Sequence, residues 1–327
     1  MKQGSSAATT TARPGHLDLA LDVRDGLGRA GLKTLPSRWL YDEIGSVLFE
    51  AICLLPEYGI TRAETRILAR CAPQLAERLG RVPLVVELGS GSGRKTRGLL
   101  TELARSGPVT YRPVDLSASA LVRCHRGLAD VPGVKVREIR DEFLSGLENA
   151  SRWRQPGETL LVLFLGGTIG NFERRAAVEF LRALRETLQP GDALLLGTDH
   201  VQPEDRLLDA YDDPTGVTAA FDLNVLARLN RELGAGFDLL RFGHEARWNS
   251  DERRIEMHLR ARRPHVVEIP GAGLRVGFRE GETIRTEISC KFATSEPMLL
   301  AALAGFRAVQ RWFDVEWPFA DNLWLAV

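Results

Sequence analysis

Between Leu84 and Gly197, short apolar runs alternate with longer stretches in which apolar residues recur at helical spacing. LVVEL (84–88), YRPVD (111–115), VKVREI (134–139), LLVLFLG (160–166) and ALLLGTD (193–199) read as strands. A stretch from about Lys95, and those near Ala118 to Gly127 and Ala176 to Leu188, read as helices. Unbroken apolar runs suit strands covered on both faces, so the series predicts an α/β fold whose mostly parallel sheet is flanked by helices. Ligands of such sheets sit outside the carboxyl ends of the strands. That rule selects the turns Gly89 to Gly93, Asp115, Asp141 to Phe143, Gly166 to Asn171 and Gly197 to His200.

Beyond Asp199 the pattern changes. Helices are expected over Glu204 to Tyr211 and Val217 to Leu233, followed by the short alternating runs FDLLRFGHEARW, RRIEMHLRARR, HVVEI and LRVGF, which look antiparallel. SCKFA, a helix near Glu296 to Ala304, AVQRWFDV and NLWLAV are expected to supply the last strands of the first sheet. The chain then divides into a disordered tail (1–16), a cofactor domain (63–201 plus 291–327) and an α+β substrate-binding domain. The latter would combine the helical N-terminal segment with an insertion (17–62 plus 202–290).

The run LVVELGSGSGRKT (84–96) carries the clearest chemistry. Gly89, Gly91 and Gly93 allow positive φ and a close approach of backbone to ligand. A dinucleotide site requires G-x-G-x-x-G, with the last glycine letting helix pack on strand. Arg94 stands where that glycine would be, which argues against a nicotinamide-dependent oxidoreductase. The pattern E-x-G-x-G-x-G, opened by Glu87, is instead typical of S-adenosylmethionine-dependent methyltransferases. Asp115, at the end of the next strand, sits where a ribose-hydroxyl acceptor belongs.

Composition narrows the partners. Lys plus Arg and Asp plus Glu each total 43, so no excess positive charge exists to track a nucleic acid or an anionic membrane. Small-molecule chemistry is expected, with no nucleic acid and no membrane as partner. Cys53, Cys71, Cys124 and Cys290 form no C-x-x-C pair, and the six histidines (His16, His125, His200, His244, His258, His265) have no metal-ligand spacing. No metal is expected, and the histidines read as structural or surface residues. The free cysteines and the absence of a signal-peptide core point to the cytoplasm.

The segments SRWLYDEIGSVLFE, LPEYGITRAE, VVELGSGSGRKT, GGTIGNF, LLLGTD, AYDDPTGVTAAFDLNVLARLNREL, WNSDERRIEM and TEISCKF occur in this order. Together they resemble the histidine-specific Nα-methyltransferases of ergothioneine biosynthesis, which convert L-histidine to hercynine, the Nα,Nα,Nα-trimethyl derivative, with three S-adenosylmethionine molecules. The resemblance runs from about Leu17 to the C-terminus. It implies a Rossmann-like class I methyltransferase sheet, S-adenosylmethionine as cofactor and L-histidine as small-molecule substrate; separately from the resemblance, a monomer is expected.

For the cofactor, the resemblance carries over Gly89, Lys95 and Asp115. It also implies Glu142 and Phe143, where the family has Asp-Phe; a shifted register would put Asp141 in place of Glu142. Lys95 equally fits a solvated helix position. Tyr41 is a further candidate near the cofactor, or a packed aromatic.

For the substrate, the resemblance implies Tyr58, Asn171, Tyr211, Glu287, Ile288 and Ser289, with Met257 along the imidazole side. Tyr58 and Asn171 are expected to align the amine, with no general base. Asn171 also suits a helix N-cap before FERRAAVEFL, and Met257 suits a core position. Glu287 and Ser289 alternate on one strand face, with Ile288 on the other. The nearest alternative is a related N-methyltransferase acting on another aromatic amino acid, such as a tryptophan derivative. A binding protein that senses S-adenosylmethionine without turning it over is a third.

Overall fold

A computed structural model describes residues 16–327, except for the side chain of His16. Residues 1–15 of the tail expected over 1–16, and the reading of the His16 side chain, fall outside this description, whereas the His16 backbone opens the first helix rather than ending the tail. The chain runs α1 (His16–Leu27), β1 (Lys33–Thr34), α2 (Glu43–Ile52), α3 (Ile60–Leu79), β2 (Leu84–Leu88), α4 (Arg97–Leu103), β3 (Val109–Val114) and α5 (Ala118–Leu128). Next come β4 (Val134–Val136), α6 (Phe143–Ser151), β5 (Leu160–Phe164), α7 (Arg174–Glu186), β6 (Ala193–Asp199), α8 (Glu204–Tyr211) and α9 (Val217–Leu233). It closes with β7 (Phe242–Asn249), β8 (Arg254–Ala261), β9 (His265–Ile269), β10 (Leu274–Phe278), β11 (Thr283–Cys290), α10 (Glu296–Leu303), β12 (Phe306–Phe313) and β13 (Phe319–Ala326).

The seven-stranded sheet has the order β12-β13-β6-β5-β2-β3-β4. Neighbours from β6 to β4 pair in parallel, whereas β13 is antiparallel to both β6 and β12. This is the expected Rossmann-like methyltransferase sheet. Strand order reverses between β2 and β5, so a crevice opens where the turns after these two strands diverge. Every residue of β2, β5 and β6 is buried, as their predominantly apolar runs lead one to expect, with Glu87, Thr198 and Asp199 as the buried polar exceptions.

A second layer is built on the four-stranded sheet β1-β11-β8-β7 and the separate hairpin β9-β10. Helix α2 is held to α9 by Asp42, which caps α2 through the Gly45 N–H (2.7 Å) and accepts from Asn224 Nδ2 (2.7 Å). One apolar core runs without a break from Val85, Tyr111 and Leu163 of the large sheet, through Ile67 of α3, to Phe221 and Ile255 of the second layer. The opposite face of the large sheet has its own core, including Leu147, Leu181 and Leu300. The two layers therefore meet through packed side chains, and the crevice lies along their junction.

Two expectations need correction. Ser289 and Cys290 belong to β11 of the small sheet; only Phe292 reaches the large one, in a bridge to His200 with its N–H on Asp199 O (2.9 Å). Phe143, placed in the turn Asp141 to Phe143, is the first residue of α6, a helix that the apolar pattern does not single out. No helix among the described residues is long and apolar enough to cross a membrane.

Candidate active site

At the carboxyl end of β2, Gly89, Gly91 and Gly93 take φ of 73°, 52° and 66°, so this turn needs residues without a Cβ. Glu87 lies fully buried beneath it and accepts hydrogen bonds from Thr96 Oγ1 (2.9 and 2.8 Å) and from the Tyr111 hydroxyl. Burial pushes its carboxyl up to about 7. Glu87 thus staples the start of the loop to its exit. Asp115 faces the same turn: Oδ2 accepts the Gly91 N–H (3.1 Å) and Oδ1 accepts the Ser117 N–H (2.9 Å). The Phe143 ring packs on Gly89, where a Cβ would lie 3.5 Å from it.

Lys95 is not a solvated helix residue. Its ammonium donates to Glu64 Oε2 (2.5 Å), and Glu64, fully buried on α3, also accepts the Gly166 N–H (2.7 Å). Burial depresses the lysine, but the carboxylates of Glu64 and Glu87 together outweigh it and leave its pKa raised. Glu142 is exposed and meets Arg38 Nη1 (3.1 Å), while half-buried Asp141 accepts the Glu142 N–H (2.9 Å). Both acids lie at the start of α6.

The turn after β5 joins this end to a cavity. Gly166 and Gly167 take φ of 77° and 70°, reversing the chain into a short 3-10 turn over Thr168–Asn171. A Cβ on Gly170 would lie 2.8 Å from Cys290 O, so the turn presses directly on β11. Asn171 Nδ2 thereby donates to Glu287 Oε1 (2.8 Å). The N-cap of α7 is Glu173, so Asn171 does not serve as that cap.

The cavity contains Tyr58, Asn171, Tyr211, Met257, Glu287 and Ser289, with Gly166 and Tyr41 also at its wall. Tyr41 belongs to this cavity through an aromatic cluster with Phe49 (5.4 Å) and Phe221 (5.3 Å). Ile288, on the opposite strand face, is not part of the lining. Tyr58 and Tyr211 meet edge to face at 6.1 Å. Burial first, then Asp222, push the Glu287 carboxyl up to about 8, against the Asn171 hydrogen bond and Lys291. At neutral pH this carboxyl holds a proton, giving a buried hydrogen-bonding pair with both donor and acceptor capacity.

Several contributors escape the sequence reading. Glu64 connects Lys95 to the turn after β5, and Phe49, Thr168, Thr218 and Phe221 line the cavity. Lys291 lies beneath Tyr211 and Ser289. The i, i+2 alternation of Glu287 and Ser289, extended one step, reaches Lys291 and was the available signal. The His244 ring bridges Asp222 Oδ2 and Tyr211 O, each at 2.7 Å. Among the described residues no cluster of metal-ligating side chains occurs.

Sheet order, glycine turn and a polar cavity at the strand-order reversal define a class I methyltransferase. A sequence model of the histidine-specific, S-adenosylmethionine-dependent methyltransferases matches residues 19–326, and the chain belongs to that family. It is 45% identical over 308 residues to the histidine N-alpha-methyltransferase of Mycolicibacterium smegmatis, covering 93% of this chain and 94% of that protein. Identity to the protein of the same name from Mycobacterium tuberculosis is 43% over 311 residues, covering 94% and 95%. Ergothioneine biosynthesis protein 1 of Neurospora crassa is 32% identical over 290 residues, which span 86% of this chain but 32% of that longer protein.

Proposed function

We propose that the protein transfers methyl groups from S-adenosylmethionine to the α-amino nitrogen of L-histidine, three times, giving hercynine as the first step of ergothioneine biosynthesis. The observation that carries this reading is the Asn171–Glu287 hydrogen bond, which joins the donor sheet to a buried acceptor cavity. In this reading Gly89 lets the donor lie against the turn, Asp115 accepts its ribose hydroxyls and Lys95 pairs with its carboxylate. Phe143 and either Glu142 or Asp141 serve the adenine. Residues 17–62 plus 202–290 form the acceptor half of the molecule, and 63–201 plus 291–327 the donor half.

The transfer is an in-line displacement. The nitrogen lone pair attacks the methyl carbon, the C–S bond breaks toward sulfur, and S-adenosylhomocysteine leaves. A free α-amine has a pKa near ~8, so a usable neutral fraction exists without a strong base, and the proton lost at each step can pass to water. Positioning then supplies much of the acceleration. Tyr58 and Asn171 are assigned to hold the amine; Asn171 Nδ2 donates one of its hydrogens to Glu287, and its carbonyl oxygen is the atom able to accept an amine N–H. Glu287 and Ser289 are assigned to the imidazole, Tyr211 to the carboxylate and Met257 to the side of the ring. Ile288 contributes backbone and spacing.

The direct test is to incubate the protein with donor and a panel of amino acids and follow the mass of each. Histidine should gain three methyl groups, while tryptophan and phenylalanine gain none at comparable enzyme. Preferential methylation of tryptophan would overturn the substrate assignment.

A further inference from the structure

Lys291 stands where the chain leaves β11 for the large sheet, and its side chain is fully buried. Its ammonium lies 2.6 Å from Asp199 Oδ2, 2.9 Å from the Tyr211 hydroxyl and 2.8 Å from Ser289 Oγ. An ammonium has three hydrogens and no lone pair, so all its hydrogens are committed and both hydroxyl oxygens must accept. Those two oxygens are themselves 2.8 Å apart. Each hydroxyl carries one hydrogen and two acceptor positions, and Lys291 takes one acceptor position of each. One hydroxyl donates to the other. Whichever does so, the pair turns one O–H and one lone pair toward the cavity.

The ammonium is anchored in turn from the donor side. Asp199 ends β6, its Oδ1 accepts from Trp317 Nε1 (3.1 Å), and its carbonyl accepts the Phe292 N–H (2.9 Å). The charge also lies 4.6 Å from the centre of the Tyr211 ring. Burial pulls the lysine pKa down, but Asp199 and then Tyr211 outweigh burial and hold it above the ordinary range, so it stays charged at neutral pH. A buried ion pair yields little net stability over an apolar pair of similar volume, so stability alone is a weak reason for this arrangement.

We propose that Lys291 is a positioning residue for the acceptor: from the end of β6 it fixes the hydrogen directions of Tyr211 and Ser289, presetting the donor and acceptor groups that the amino acid meets. This rests on the methyl-transfer reading above. It assigns to Lys291 an effect on acceptor KM rather than on donor affinity.

The test uses Lys291→Met combined with Asp199→Asn, which removes both charges and leaves no orphan carboxylate. S-adenosylhomocysteine affinity by calorimetry should stay within about twofold, while histidine KM rises about tenfold or more, the scale of one lost charged hydrogen bond. Tyr211→Phe, which should cost about tenfold in KM in the wild-type background, should cost little in the double variant, because the direction it supplies is already lost. Independent, additive costs would overturn the proposal, as would equal loss of donor and acceptor affinity or an unchanged KM. Should that variant fail to fold, Lys291→Arg keeps the charge but not the three-way geometry. It should raise histidine KM with donor affinity retained, and a wild-type KM would overturn the proposal. Wild-type protein assayed in parallel separates the two claims. If it adds no methyl to histidine, the functional reading falls and this inference with it; if it does, only the inference is at stake.

Discussion

The donor end and the acceptor cavity meet at one crevice yet are built by opposite means. The donor end is largely backbone: three left-handed glycines in one turn, a buried acid beneath them and one carboxylate on the next strand. The acceptor cavity is made of side chains brought from α2, the approach to α3, the turn after β5, α8, α9, β8 and β11. A shared cofactor needs a close, generic approach that glycines provide. Discrimination between amino acids needs polar groups that go unpaired when the wrong side chain enters. Binding and choice can therefore be altered separately, and variants at one end should leave the other nearly unchanged.

The largest separation is expected at Asp115. Asp115→Ala should weaken donor binding by about 100-fold or more, the loss of two charge-assisted hydrogen bonds, as read by calorimetry. Donor affinity within a few-fold of wild type would remove Asp115 from the ribose role. Next is Glu287→Ala, which should raise histidine KM by about 100-fold while donor affinity stays within about twofold. Parallel loss of both would erase the distinction between the two ends.

A pH series gives a smaller, thermodynamic signal. The folded protein holds the Glu287 proton up to about 8, against an ordinary 4.5. Between these values the folded chain binds a proton that the unfolded chain has released, so this contribution to stability is full below the lower value and is lost as pH rises through the upper one. Glu287→Gln lacks that dependence. Its melting temperature should gain on wild type as pH rises from about 5 to about 8, by several degrees; a constant or shrinking gap would contradict the buried, protonated state. The smallest effect is expected from Arg38→Ala, which removes an ion pair with Glu142 whose side chains are 38% and 61% exposed. Donor affinity should change by less than about threefold. Comparing Asp141→Asn with Glu142→Gln then identifies which carboxylate serves the adenine, by which of the two weakens donor binding.

The same contrast explains what could be read in advance. The sheet strands and the glycine turn are local signals: β5 is apolar throughout, β2 and β6 are apolar up to the polar residues at their carboxyl ends, and α8 and α9 show their period directly. Tyr58, Asn171, Tyr211 and Glu287 became candidates through resemblance, because nothing local marks them as neighbours. Glu64 is a charge on the buried face of an otherwise ordinary amphipathic helix, and its value appears only once Gly166 and Lys95 converge on it. Lys291 was hidden for a similar reason: its three partners come from β6, α8 and β11. The fate of SCKFA likewise depended on which sheet captures Ser289, and that is decided by pairing with β8.

The most direct test of the account is a crystal structure of the protein with S-adenosylhomocysteine and L-histidine bound together. It should place an imidazole nitrogen within about 3 Å of the Glu287 carboxyl, with the α-amine between Tyr58 and Asn171 and facing the donor sulfur. A histidine whose ring lies away from Glu287, or whose amine points away from the sulfur, would contradict it.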